Sequence, residues 1–290
     1  MLDSIVRCAA IVSIALSLTA CTGGGGSRTL IQNKGSDTLV NVAQAWAETY
    51  RTVNPAVAVA VSGGGSGTGI ASLINGTVDL ANASRGIKAL EQEEIEKANG
   101  VEAIEHTVAA DAVVFFIHKD NPIEGLNIEQ LACMYGEGGK CSKWTDLDVE
   151  VPGCANQEII LVSRQSNSGT YVFVRDMVLG EKRDFRLGTR DMQGSKDVVD
   201  LVGHTPCAIG YSGLGYANAE VRASCVAKDA SSKCIEPTTE TAKSGTYPLS
   251  RPLFMYTLGQ PTGPVLAYLD WIKSDAGQTI VANNGFVPVN

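Results

Sequence analysis

Apolar runs of strand length alternate along this chain with segments of helical period, and the joins between them are short. TLIQNKG (29–35) reads as a strand into a turn, after which Leu39, Val42, Ala43, Trp46 and Tyr50 recur at helical spacing, with Ser36 or Asp37 as the N-cap. Pro55 closes that stretch, and Val57, Val59 and Val61 alternate as a strand. The turn SGGGSGTG leads into a short helix, IASLIN, stopped by Gly76. VDLANAS (78–84) reads as a strand and 90–98 as a charged helix, and AADAVVFFIHKDNP (109–122) is the longest apolar strand signal. Helix 127–134, strand 158–163, helices 170–179 and 196–202, strand 207–213, strand 253–259 and helix 264–274 follow. Such alternation predicts an α/β fold: parallel or mixed sheets with helices on both faces.

The first twenty residues stand outside that pattern. Arg7 precedes an apolar stretch from Cys8 to Leu18 and a small-residue cleavage pattern, which is a secretory signal too short to span a bilayer. Leu18-Thr19-Ala20-Cys21 resembles the lipobox of bacterial lipoproteins, in which Cys21 is acylated and becomes the mature N-terminus. The TGGGGSR that follows makes 21–28 a flexible tether. What remains is large for one core and comfortable for two lobes. A net charge of −8 and 6% aromatic residues argue against a nucleic-acid partner, which wants a basic face or a stacking platform.

Beyond Cys8 and Cys21 there are six cysteines, an even number in an exported chain, with no C-x-x-C pair. Many pairings are possible in principle. The short spacings suggest Cys133–Cys141 and Cys225–Cys234, which leaves Cys154–Cys207. All six fall in the middle of the chain, a sign that this part forms its own lobe.

Three joins share a composition: GSDT (35–38), GGGSGTG (63–69) and SNSGT (166–170). Each follows a strand signal, is small, carries hydroxyls and opens a helix. Unpaired N–H groups at a helix start favour an anion, glycine lets backbone approach it closely, and hydroxyls rotate to donate. Ser, Thr and Gly are also ordinary capping residues, so one such turn means little. Three together, one preceded by Arg164, point to an oxyanion site, for which a guanidinium offers a two-pronged donor. The plainer reading of Arg164 is a surface ion pair.

Enzyme signatures are missing from the sequence: no G-x-x-x-x-G-K-[ST], no G-x-G-x-x-G and no G-x-S-x-G. His106, His118 and His204 form no H-E-x-x-H and read as ordinary polar residues. Asp111 and Ser84-Arg85 differ, because they sit at the ends of apolar strands. A carboxylate beside an anion is costly unless the ligand carries a proton to donate to it. Phosphate keeps such a proton near neutral pH and sulfate does not.

GSDTL, GGGSGTGIASLINGTVDLANASR, AADAVVFFIHKDNP, SRQSNSGTYVFVRDMVLG and YPLSRPLFMYT together resemble the phosphate-binding proteins of bacterial ABC phosphate importers, from about residue 30 to 290. The resemblance implies the two-lobed periplasmic-binding-protein fold (type II), with a ligand cleft between lobes and chain crossings near 108–118 and 245–255. Lobe I would be 28–110 plus 252–290, and lobe II the disulfide-bearing 111–251. Carried over by motif, the phosphate ligands fall on Ser36, Thr38 and Ser66 from one lobe and Arg164, Ser168, Gly169 and Thr170 from the other. In the best-known branch an aspartate follows the serine of the third segment and accepts the phosphate proton. Here Arg85 follows Ser84, so Asp111 is the candidate acceptor, with Arg85 pairing to it or touching the ligand. The implied protein is a monomeric, lipid-anchored (palmitate-bearing) receptor of the cell envelope, needing no cofactor or metal, that delivers phosphate to ABC permease subunits. The alternatives are a phosphatase-like enzyme on the same scaffold, or a receptor for sulfate or molybdate.

Overall fold

The computed structural model describes residues 28–180 and 182–290. The expected signal, the acylated Cys21 and the tether up to residue 27 lie outside the described residues. The chain begins with β1 (Thr29–Gly35), α1 (Val40–Val53), β2 (Val57–Ser62), α2 (Ser66–Ile74), β3 (Leu80–Ala83) and α3 (Ala89–Asn99). It continues through β4 (Ala103–His118), β5 (Gly125–Asn127), α4 (Ile128–Tyr135), β6 (Ile160–Arg164) and α5 (Gly169–Val174). Then come β7 (Arg190–Met192), α6 (Ser195–Gly203), β8 (Ala208–Gly213), β9 (Val221–Ala223), β10 (Cys225–Ala227) and α7 (Thr239–Lys243). It closes with β11 (Ser250–Leu258), α8 (Gly263–Lys273) and α9 (Asp275–Asn283).

The strands join in the order β2-β1-β3-β11-β4-β8-β6-β7, with β9 also on β4 and a separate β5–β10 pair. β1 is parallel to β2 and β3, while β11 runs antiparallel to both β3 and β4. β8 is antiparallel to β4 and parallel to β6, which is parallel to β7. The fold is thus the mixed α/β, type II binding-protein architecture.

β4 positions everything else. Its first part, 103–112, pairs with β11, and its second part, 113–117, pairs with β8. The hydrophobic cores divide at the same place. One holds Ala112–Ile117 with residues up to Leu249, plus Val287. The others draw on Ile31–Ala109, Leu253–Phe286 and the β3–α3 region. The sequence signal for this strand starts only at 109, because Glu105 and Thr107 are exposed and Ala103, Ile104 and His106 partly exposed, which dilutes the apolar pattern.

Other differences have local causes. The helix expected over 170–179 is α-helical only to Val174 and continues as a π turn, Arg175–Leu179. Residues after 274 form α9, because Ser274, in extended conformation, ends α8 and its side chain accepts from Gly277 N. Neither Ser36 nor Asp37 caps α1, whose N-cap position is Leu39 with no side-chain cap; both side chains are turned to facing segments instead. The disulfides join Cys133–Cys141, Cys154–Cys207 and Cys225–Cys234. The longest closes a sequence separation of 53 and anchors the approach to β6 onto the head of β8.

Candidate functional site

The ends of β1 and β3 meet first. The close approach of the two strands needs Gly35: a Cβ there would run into the carbonyl of Asn82, whose oxygen accepts from Ser36 N at 2.8 Å. Ser36 Oγ thereby reaches Ser84 Oγ at 2.9 Å. Ser66, the first residue of α2, places its Oγ 3.3 Å from Ser84 Oγ and accepts from Ser84 N at 3.0 Å. Asp37 Oδ1 accepts from Gly64 N at 2.9 Å, which pins the first turn to the second.

The turn after β6 faces them. Ser168 caps α5, its Oγ accepting from Thr170 N and Tyr171 N. Thr170 Oγ1 lies 3.0 Å from Thr38 Oγ1. A side chain at Gly169 would collide with Ser66 Oγ and Ser84 Oγ, so backbone itself covers those hydroxyls. Asn167 completes the contact: its carbonyl accepts from Gly67 N at 2.9 Å, and its Nδ2 donates to Gly64 O at 2.8 Å. At Gly65, where φ is +92°, a Cβ would stand 2.7 Å from the Asn167 carbonyl oxygen, so glycine is required on both counts.

Two buried arginines bracket this cluster, each with its own aspartate. Arg164 donates through Nη2 to Asp37 Oδ2 (3.0 Å) across the cleft, and through Nη1 to Ser195 Oγ (2.9 Å). Its Nε and Nη2 also donate to the Gln193 carbonyl. Arg251 donates through Nη2 to Asp111 Oδ2 (2.9 Å) and to Thr170 Oγ1 (3.0 Å), and through Nη1 to the Ser84 carbonyl (2.9 Å). Thr38 Oγ1 is 3.4 Å from the same Nη2, and the guanidinium lies over the Phe173 ring. Burial lowers both arginines from their usual range, opposed by the aspartate each one pairs with. Burial likewise pushes the Asp111 carboxyl up, and the Arg251 charge pulls it back. Tyr216 OH donates to the Asp37 carbonyl at 2.5 Å and holds the first turn in place.

Ser36, Thr38, Ser66, Ser84, Arg164, Ser168, Gly169 and Thr170 therefore come together, all buried. Asp111 touches the cluster only through Arg251, its other partner being Leu214 N at 3.3 Å. Arg85 does not pair with Asp111. Its guanidinium forks onto Glu91, at 2.6 and 2.8 Å, because α3 begins beside it and Arg251 already occupies Asp111. His106, His118 and His204 bond Thr257, the Asp120 backbone and the Asp200 carbonyl, with no link to the cluster. Sequence reasoning missed Arg251, Asp37 and Asn167. The signal for Arg251 was present: a lone arginine in the otherwise apolar and small run YPLSRPLFMYT.

The Arg85–Glu91 fork gives a testable pH dependence. Burial opposes ionisation of Glu91, but the Arg85 and Lys88 N–H bonds hold its carboxyl below the ordinary 4.5. A depressed carboxylate contributes fully above the unfolded value and loses its contribution as pH falls through the folded one. Glu91→Gln is therefore expected to lower stability at neutral pH and to flatten the loss below about pH 4.5, as read by urea denaturation across pH.

A family model described as a PBP superfamily domain matches residues 22–276. The Pseudomonas aeruginosa phosphate-binding protein PstS is 34% identical over 268 residues, covering 89% of this chain and 83% of that one. The chain belongs to this family of phosphate-binding proteins. SphX of Synechococcus elongatus is 30% identical over 291 residues, covering 96% and 83% of the two chains. Among solved structures, a Clostridium perfringens protein described as a phosphate ABC transporter substrate-binding protein, with bound phosphate, superposes with a TM-score of 0.80. It shares 27% identity and covers 90% of this chain and 100% of its own. The phosphate-binding proteins thus include this chain's fold.

Proposed function

We propose that this chain is an extracytoplasmic receptor that binds the hydrogen phosphate dianion between its lobes and delivers it to an ABC importer. One observation carries the reading. Five buried hydroxyls from four segments, Ser36, Thr38, Ser66, Ser84 and Thr170, bond largely to one another, with Arg251 among them. Hydroxyls bonded to each other can rotate to donate to a tetrahedral anion's oxygens, or to accept its single proton. The relatives whose names specify phosphate support the choice of anion.

The ligand set in this reading is Ser36, Thr38, Ser66, Ser84, Arg164, Ser168, Gly169, Thr170 and Arg251, with Asp111 holding Arg251 in place. Each arginine is balanced by an aspartate, so the anion is held by directed bonds rather than by surplus charge; each charge-assisted bond contributes about 1.5–3 kcal/mol. The lobes are 28–110 with 252–290, and 111–251, hinged through β4 and the start of β11. Cys21 carries the lipid anchor. Calorimetric titration of the ligand-stripped protein, at two pH values, is expected to show one saturable phosphate site and far weaker sulfate binding. Comparable sulfate binding would overturn the assignment. Gly169→Ala, which drives a methyl into Ser66 Oγ and Ser84 Oγ, is expected to weaken phosphate by about tenfold or more, roughly 1.4 kcal/mol per decade, with the fold intact by circular dichroism.

A further inference from the structure

The second and third turns meet at two depths. In the interior, Gly169 covers the hydroxyls of Ser66 and Ser84. At the rim, the exposed Asn167 reaches across the cleft: its Nδ2 donates to the Gly64 carbonyl at 2.8 Å and to Thr68 Oγ1 at 3.2 Å. Thr68 Oγ1 itself donates to the same Gly64 carbonyl at 2.6 Å, so one side of the contact holds its own acceptors in place. The Asn167 carbonyl takes the Gly67 N–H at 2.9 Å, one of the donors that the start of α2 cannot use internally. A Cβ at Gly67 would stand 3.2 Å from that carbonyl oxygen. None of these three bonds goes to a residue of the proposed ligand set.

Bonds across a cleft exist only while it is shut, and these form with or without an anion inside. They favour the shut form by a fixed amount, and a ligand held by that form gains affinity in proportion to its population. Release has to break them, whereas capture starts from an open cleft. We propose that Asn167 is a latch, a positioning residue that sets how long phosphate stays bound without touching it. The proposal rests on the phosphate reading above and adds the residue that governs release.

The test is calorimetry and stopped-flow kinetics with phosphate and with arsenate, a tetrahedral anion of the same charge, on the ligand-stripped protein, Asn167→Ala and Gly67→Ala. Asn167→Ala removes two hydrogen bonds at an exposed position. It is expected to weaken both anions by the same factor, about tenfold, chiefly through faster release and with the fold intact by circular dichroism. Gly67→Ala is expected to keep or raise the melting temperature, because alanine suits a helix better than glycine. It should still weaken both anions severalfold, since its methyl crowds the Asn167 carbonyl only when the cleft is shut. An unchanged release rate in Asn167→Ala overturns the latch and leaves the phosphate reading standing. A shifted phosphate-to-arsenate ratio in that variant also overturns it, because the residue would then act on the anion itself. Absence of phosphate binding in the unsubstituted protein overturns the reading beneath it.

Discussion

Arg251→Met is expected to cost about 3–5 kcal/mol of folding stability and to abolish measurable phosphate binding. Arg251 and Asp111 are both buried, and Asp111 Oδ2 takes two of the guanidinium's bonds. Removing the arginine leaves a carboxylate in a dry site with only Leu214 N and nearby backbone to satisfy it. The carboxyl then escapes part of the cost by taking up a proton. Its folded pKa, already raised by burial, rises further above the ordinary 3.8, so the folded state holds a proton that the unfolded state has released. The penalty is therefore small in acid, appears as pH climbs past the ordinary value and grows until the folded value is reached. Urea denaturation at several pH values reads this directly. A companion variant, Arg251→Met with Asp111→Leu, is expected to regain most of the stability, since paired charges replaced together by apolar groups cost little. It should still fail to bind phosphate. Full binding in that double variant would remove Arg251 from the ligand set.

Arg164→Ala is expected to weaken phosphate by about 2–5 kcal/mol, roughly thirty-fold to several thousand-fold. Its Nε, its Nη2 and one Nη1 hydrogen serve Met192 O, Gln193 O, Ser195 and Asp37, which holds the guanidinium rigid and leaves one Nη1 hydrogen without a protein acceptor. The same bonds tie the loop before α6 to β6, and the Asp37 bond crosses the cleft. Truncation therefore removes a brace between lobes and, in the proposed reading, a phosphate ligand. Arg164→Lys keeps the charge but cannot reproduce a fork that serves several acceptors, so it is expected to recover only part of the affinity. Calorimetry on folded variants, checked by circular dichroism, decides this; an Arg164→Ala protein with unchanged phosphate affinity would return Arg164 to a purely structural part.

The legible portion of the site was the portion written in local chemistry. GSDT, GGGSGTG and SNSGT announce hydroxyls and pliable backbone at strand ends, and a turn needs no distant residue to be recognised as one. The six cysteines were legible because two of the spacings are short and an exported chain of even count leaves little else. Helix and strand types followed from periodicity wherever one face is buried, as in α1 with Val42, Ala43, Trp46 and Tyr50. The start of β4 did not, because its partly exposed residues hide the pattern.

Charge pairing was the part that local reading left undecided. Arg85, Arg164 and Arg251 stand at or just past strand ends and Asp111 inside β4, and the family resemblance suggested Arg85 as a partner for Asp111. The sheet decides otherwise: β11 runs antiparallel beside β4, with Arg251 directly opposite Asp111. α3, starting just past Arg85, supplies Glu91 instead. Asp37 likewise looks like a helix cap until α2 brings Gly64 to one oxygen and the facing lobe brings Arg164 to the other. The sequence by itself determined the alternating α/β class, the three hydroxyl-bearing turns and the cysteine framework, because each depends on neighbours in the chain. Only the tertiary structure decided which charges meet, since a buried ion takes whichever counter-charge the sheet register and the lobe contact place within reach.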